Sequence, residues 1–134
     1  MDFSAHISTP KNTTAAEPKV TVIHLTKGRL TGGFLFFPPG PAGTLHIIAR
    51  ISNHQILPFT SGENYNLDDC VIPLSLGIDL LEPPFLIDLI TWNDSNNHAH
   101  LLNICFFLRP STKKRFLVDK VKNLFSATDG YQKS

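Results

Sequence analysis

Cysteine is scarce in this chain of 134 residues, which carries only Cys70 and Cys105. Two cysteines cannot build a disulfide framework, so a reducing compartment is the default expectation. Charge is sparse as well, at 17% of residues, while hydrophobic residues reach 42%. That balance excludes a wholly disordered chain and supplies a core. No apolar run approaches the ~20 residues that a membrane-spanning helix needs. Residues 1–19 hold no apolar signal-peptide core, so secretion is not expected. Ten prolines and eight glycines leave little room for long uninterrupted helices. Catalytic signatures are missing too: there is no Gly-x-Ser-x-Gly elbow and no phosphate-binding glycine loop. The length fits one domain.

The net charge of +1 hides an uneven distribution. Residues 1–50 carry five Lys/Arg and two acids, whereas residues 51–108 carry no Lys or Arg and seven acids (Glu63, Asp68, Asp69, Asp79, Glu82, Asp88, Asp94). Residues 109–134 carry seven Lys/Arg and two acids. An acidic middle beside a basic end points either to contact with a polyanion or to mutual neutralisation within the fold or between subunits.

Strand signals dominate the chain. Residues 1–18, rich in Ser, Thr, Ala, Asn and Pro, are expected as a flexible N-terminal arm. A single β-rich domain is expected over 19–128, with a flexible tail at 129–134. Val20-Thr21-Val22-Ile23-His24-Leu25 is dense in β-branched residues. Phe34-Leu35-Phe36-Phe37 reads as a short buried strand after breaks at Thr26-Lys27-Gly28-Arg29 and Thr31-Gly32-Gly33. In residues 44–51, Leu45, Ile47, Ala49 and Ile51 alternate with Thr44, His46, Ile48 and Arg50. Pro58 demotes residues 55–59 to an edge strand or bulge. Residues 70–75 and 78–81 are short apolar pieces around Pro73 and Gly77. Residues 85–92 and 101–108 read as an antiparallel hairpin, the second member buried on both faces.

One helix is expected, over about 112–126, capped by Ser111. Leu117, Val121, Leu124 and Phe125 form its apolar stripe. The expected fold class is therefore β-rich (α+β): an antiparallel sheet or small sandwich with one C-terminal amphipathic helix packed on it.

Few clusters can carry chemistry. His98 and His100 with a distant Cys105 fall short of a metal site, which needs three or four ligands and a fixed second shell. Neighbouring acids Asp68 and Asp69 disfavour a Cys70 thiolate, and both cysteines lie in apolar runs that suggest core. Pro38-Pro39-Gly40-Pro41 reads as a rigid loop or a polyproline ligand. The basic segment is the strongest candidate: Arg109, Lys113, Lys114, Arg115, Lys120 and Lys122 face one acid, Asp119. Lys113, Lys114 and Arg115 would sit in the first helical turn, where the macrodipole opposes cations by a few tenths of a kcal/mol each, up to ~1. Such a patch would attract anionic lipid or the phosphates of a nucleic acid. Neither a metal nor a cofactor is expected, and no small-molecule substrate.

Phe106-Phe107-Leu108-Arg109, the lysine-bearing stretch and Asn123-Leu124-Phe125-Ser126 resemble the matrix proteins of bornavirus-like negative-strand RNA viruses. Gly43-Thr44-Leu45-His46-Ile47 and Ile56-Leu57-Pro58-Phe59 are similar to that family's early strands, so the likeness spans about residues 44–126. It implies a non-enzymatic, homo-oligomeric protein of the virion, found in the host cytoplasm and at the inner face of the host membrane. Its implied partners are further copies of itself, anionic lipid, and RNA or nucleoprotein. The acidic middle and the Pro38-Pro41 loop have no counterpart in it.

A second likeness is to dUTPase-like barrels, including catalytically inactive adenoviral relatives. Gly77-Ile78-Asp79 followed by Phe85-Leu86-Ile87-Asp88-Leu89-Ile90-Thr91-Trp92-Asn93 is similar to that family's substrate-loop motif and next strand. Gly33-Phe34-Leu35-Phe36-Phe37-Pro38 is similar to the adenoviral members. The Arg-Ser-Ser phosphate motif is absent, Glu82-Pro83-Pro84 stands where a stacking aromatic would be needed, and no glycine-rich arm follows. This likeness implies an inactive adaptor for a host factor. Self-association is expected to place an apolar patch, with Phe85 and Trp92 nearby, between charge-complementary surfaces.

Overall fold

The computed structural model describes residues 1–110. The helix expected over 112–126 and the tail at 129–134 lie outside the described residues. Within them the chain forms eight strands: β1 (Asp2–Thr9), β2 (Lys19–His24), β3 (Gly28–Phe37), β4 (Leu45–Ile51), β5 (His54–Leu57), β6 (Cys70–Leu80), β7 (Leu86–Asn93) and β8 (His100–Arg109). Two four-stranded sheets result, ordered β1-β8-β3-β6 and β2-β7-β4-β5, and every pairing is antiparallel. The pairs β1/β8, β2/β7, β3/β6 and β4/β5 are nested, as in one long hairpin rolled on itself. That topology is an eight-stranded jelly roll.

The alternation of residues dictates which face each strand buries. Leu45, Ile47 and Ala49 of β4 point inward, as their spacing predicts, and so do Ile87 and Leu89 of β7 and Leu102, Ile104, Phe106 and Leu108 of β8. In β3 the register shifts between Leu30 and Gly32 against both neighbours. The shift lets Leu30 and Leu35, of opposite parity, both reach the core. Glycine is required beside it by close approach: a Cβ at Gly33 would collide with the Cys105 carbonyl oxygen, and one at Gly32 with that of Leu74. Packing leaves a cavity of only about 10 Å³ between the sheets, lined by Leu35, Ile47 and Ile104 among others.

Several expectations change. Residues 2–9 are not part of a flexible arm but the edge strand β1, paired with β8 from Asp2↔Phe107 to Thr9↔His100. Leu108 N–H also donates to the Met1 carbonyl at 2.8 Å. Backbone pairing, with Ile7 and Thr9 buried, orders a stretch whose composition resembles a linker. Residues 85–92 and 101–108 are strands but not a hairpin, because β7 and β8 lie in different sheets. The expected breaks at 28–29 and 31–33 fall inside the continuous β3, and residues 70–80 form one strand through Pro73 and Gly77. Proline is tolerated there because β6 is an edge strand.

The passage from β7 to β8 is held by Asn93, whose side chain is fully buried. Its Nδ2 donates to the carbonyls of Thr9 (3.1 Å) and His98 (3.0 Å), and its Oδ1 accepts from Ser95 N–H (3.0 Å). Beside it Thr9 Oγ1 donates to Thr91 Oγ1 at 2.8 Å, a buried bond from one sheet to the other. The sequence Asn93-Asp94-Ser95 fits a glycosylation sequon, but this side chain is wholly engaged inside the fold.

Each buried group left unpaired costs about 1–3 kcal/mol. Asn93→Ala is therefore expected to lower unfolding free energy by about 2–4 kcal/mol in urea titration, a large share of the ~5–15 kcal/mol typical of a domain. Asn93→Asp, which cannot donate to either carbonyl, should lose at least as much. A change below ~1 kcal/mol for both would show that the node is not holding the sheets together.

Candidate assembly face

The outer face of the sheet β1-β8-β3-β6 carries an apolar patch on β8, β3 and β6, bordered by the polar outer side of β1 (Asp2, Ser4, His6 and Ser8). Strand pairing sets Phe34 opposite Cys105 and Pro73, and Phe36 opposite Val71. These side chains share the outer side with Leu101 and Phe107. Phe34 is 46% exposed, Val71 55% and Leu101 42%. The Phe34 and Phe107 rings meet edge to face, centroids 5.5 Å apart at 84°, an arrangement favoured by the ring quadrupoles. A contiguous exposed apolar patch of this kind marks an interaction surface more often than an ordinary monomer surface.

One end of the face is charged. Arg29 Nη1 donates to Asp79 Oδ2 at 2.9 Å, across the β3/β6 pair. Arg29 stands in register with Arg109 on β8, and Asp2 at the start of β1 stands in register with Phe107. On one flank His6 and Asn103 are joined by a hydrogen bond between β1 and β8.

Of the expected basic site, Arg109 is exposed at the end of β8, at this charged end. Lys113, Lys114, Arg115, Lys120 and Lys122 lie outside the described residues. The seven acids of the middle do not form one surface. Asp79 pairs with Arg29, and Asp68 Oδ1 accepts from the N–H groups of Gly40 and Ala42, both at 2.9 Å. Asp68 thereby ties down the Pro38-Pro39-Gly40-Pro41 loop. Asp88 stands opposite Arg50 in the β4/β7 register, and Asp94 accepts a bond from His46.

His46 is the centre of a polar cluster on the other sheet. Its ring lies flat on Trp92, centroids 5.0 Å apart at 4°. Nε2 is 2.7 Å from Asp94 Oδ2, and Nδ1 is 2.7 Å from the Asn64 side-chain amide. Both ring nitrogens are occupied, so the imidazole clamps two loops to β4 rather than standing ready as a base. Trp92 is engaged by this stack and Phe85 packs partly against the core.

An open cleft of about 530 Å³ lies at the end of the β4–β5 hairpin, lined by Arg50, Asn53, His54, Gln55, Phe59 and Ser61. Gln55 Nε2 donates toward the carbonyls of Pro58, Thr60 and Glu63, which shapes the loop carrying Phe59. His98 and His100 lie with ring centroids 6.4 Å apart. Among the described residues no three His, Cys, Asp or Glu side chains converge on one point. Gly77-Ile78-Asp79, similar in sequence to a substrate loop, lies within strand β6.

Residues 101–108 are almost wholly apolar, Asn103 being the exception, which reads as burial on both faces. In a two-layer sandwich each strand buries one side only. Such a strand therefore shows apolar residues on its outer side as well. Cys105 illustrates the correction: it faces outward beside Phe34 and is half-buried, whereas Cys70 packs partly against the core. The chain matches no family model, no curated protein and no solved structure.

Burial, with the negative charge of Asp2 as a smaller contribution, pushes the Cys105 thiol above its ordinary 9.0. Since the thiolate is the nucleophile, Cys105 is expected to alkylate more slowly at neutral pH than an unhindered thiol. In a Cys70→Ser background, mass spectrometry should show the rate still climbing at pH 9.0, where an ordinary thiol begins to level off. Asp2→Asn should quicken it at any fixed lower pH. A rate already level below that pH would contradict the placement of Cys105.

Proposed function

We propose that this chain is a viral matrix-type structural protein, without enzymatic activity, that assembles through its β-sandwich and touches an anionic membrane or RNA through its basic C-terminal segment. The observation that carries this reading is the apolar patch on the outer side of β8, β3 and β6, ending in charge at Arg29 and Arg109. The viral context comes from the matrix-protein likeness of residues 44–126. Chain length alone ties the basic residues to this end of the face. A chain spans at most ~3.6 Å per residue, so Lys113, Lys114 and Arg115 lie within about 22 Å of Arg109 in any conformation.

A second reading, an inactive dUTPase-like adaptor for a host factor, is favoured by one observation, the jelly-roll topology. Folds of this kind host many unrelated functions, so topology supports it less than the face supports assembly. Both readings share the absence of catalysis. The one imidazole in a charged cluster has both nitrogens engaged, and Asp79 is held by Arg29.

Two outcomes are expected. Purified protein given dUTP should release no pyrophosphate above the control without protein; turnover abolished by Asp79→Asn would overturn the non-enzymatic reading. Wild-type protein should sediment with vesicles of anionic lipid, less so as salt is raised, because screening shortens to ~10 Å at 0.1 M. Changing Lys113, Lys114 and Arg115 together to Glu should abolish that binding while leaving the thermal unfolding of the sandwich unchanged. If this variant bound vesicles and RNA as well as wild type, the basic segment would have no such role. The adaptor reading would then stand alone.

A further inference from the structure

We propose that the cleft at the tip of the β4–β5 hairpin binds a carboxylate carried beside a flat apolar group and an amide. That is the chemistry of an acylated aromatic amino acid and of a peptide's free C-terminus. The inference goes beyond the assembly reading and concerns the other sheet.

Two pieces of chain build the cleft. One is the hairpin turn, where Ser52 and Asn53 adopt φ of 49° and 66°, as in the tight turns that join neighbouring strands. It sets Arg50 and Gln55 side by side in register and places Asn53 and His54 at the tip. The other is the loop after β5, wrapped around Gln55 by the three carbonyls to which Nε2 donates. This tied loop carries Phe59, which is 85% exposed and offers a ring face for stacking. The volume of about 530 Å³ lies within the range of about 300–1,000 Å³ typical of small-molecule sites.

The polar groups of the lining have unused capacity. Among the described residues, no hydrogen bond or ion pair holds the side chain of Arg50, Asn53 or His54, and Gln55 Oε1 accepts none. Arg50 stands in register with Asp88, yet the two form no ion pair. A guanidinium presents a planar fork of N–H donors that fits both oxygens of one carboxylate. Asn53 carries donors and an acceptor, and Gln55 keeps an acceptor, which suits the C=O and N–H of an amide. Phe59 then covers the apolar group.

Charge selects against larger anions. Among the described residues that line the cleft, Arg50 alone is a Lys or Arg. Asp88 stands beside it, and Glu63 belongs to the loop around Gln55. A nucleic acid draws its affinity from several cations and would meet acids here as well as one cation. A single carboxylate needs only the one fork.

The test is a titration of isotope-labelled full-length protein with N-acetyl-L-phenylalanine, followed by amide chemical shifts. Shifts should appear within residues 50–61, the span of the lining, and saturate. The carboxamide of the same molecule, which lacks the charge, should bind at least ~10-fold more weakly, the scale of a lost charged hydrogen bond. Arg50→Lys keeps the charge but loses the fork, and should weaken the acid about 10-fold while leaving the carboxamide unchanged. Phe59→Ala should reduce N-acetyl-L-phenylalanine to the affinity of N-acetyl-L-alanine. Circular dichroism establishes that each variant is folded. A peptide with a free C-terminal Phe that binds more tightly than the acylated amino acid would assign the cleft to chain ends, and equal binding would assign it to free acids; both support the carboxylate site. No shift at about 10 mM probe, equal affinity for acid and carboxamide, or tighter binding of adenosine monophosphate would overturn it.

Discussion

The whole sandwich turns on how the chain crosses from β7 to β8. These strands sit in different sheets, so the residues between them must leave one layer and enter the other without exposing unpaired backbone. Asn93 makes that possible. Its amide binds the end of β1 through the Thr9 carbonyl and the start of the crossing through the His98 carbonyl. Its own N–H donates to Thr13, and the next residue's N–H donates to Thr44, both at 2.9 Å. The buried side chain thus ties β1 to the crossing after β7, and the backbone of Asn93 and Asp94 adds the loop after β1 and the entry to β4. A hydrophobic residue of similar size would fill the space but leave several carbonyls and amides without partners, and buried backbone groups are very rarely left so.

Once the sheets are joined there, the remaining geometry follows from one rule: each strand has a single inner side. The inner sides of β3, β4, β7 and β8 supply enough Leu, Ile and Phe to fill the space almost completely. The cavity lined by Leu35, Ile47 and Ile104 is no larger than about 10 Å³. The surplus apolar residues of β3 and β8 then face outward, together on neighbouring strands. Gly32 and Gly33 reinforce this, since the close approach they permit draws β3 tightly between β6 and β8. The packed core and the apolar patch on the outer side are therefore two consequences of the same apolar strands.

This also explains what was legible in the sequence. Strand β4 could be read from its alternation, and β5 could be recognised as an edge because of Pro58. Strands β7 and β8 were visible as segments, but their partners were not, because sequence adjacency suggests a hairpin whereas the jelly roll sends them to opposite layers. Strand β1 did carry an alternation, Phe3, Ala5, Ile7 and Thr9, but Ser and Thr diluted it, and its order comes from backbone pairing with a strand about a hundred residues away. The bulge in β3 hid the continuity of that strand by reversing the parity of its apolar positions. Of the expected binding residues, Arg109 alone falls within the described part. The face beside it escaped notice because an apolar run was equated with double-sided burial.

The charge pattern takes on a different meaning in this light. The acids of residues 51–108 are distributed among local tasks: Asp68 caps a loop, Asp79 joins two strands, Asp94 holds an imidazole and Asp88 faces Arg50. The counterparts of these four acids (Arg29, Gly40, Ala42, His46 and Arg50) all lie in the first fifty residues. Part of the asymmetry between the first and middle segments is neutralised inside one fold. Among the cations from Arg109 onward, Arg109 alone lies within the described residues; it stands in register with Arg29, itself bonded to Asp79, so the basic segment departs from an end of the sheet whose charges already alternate between strands β3 and β6.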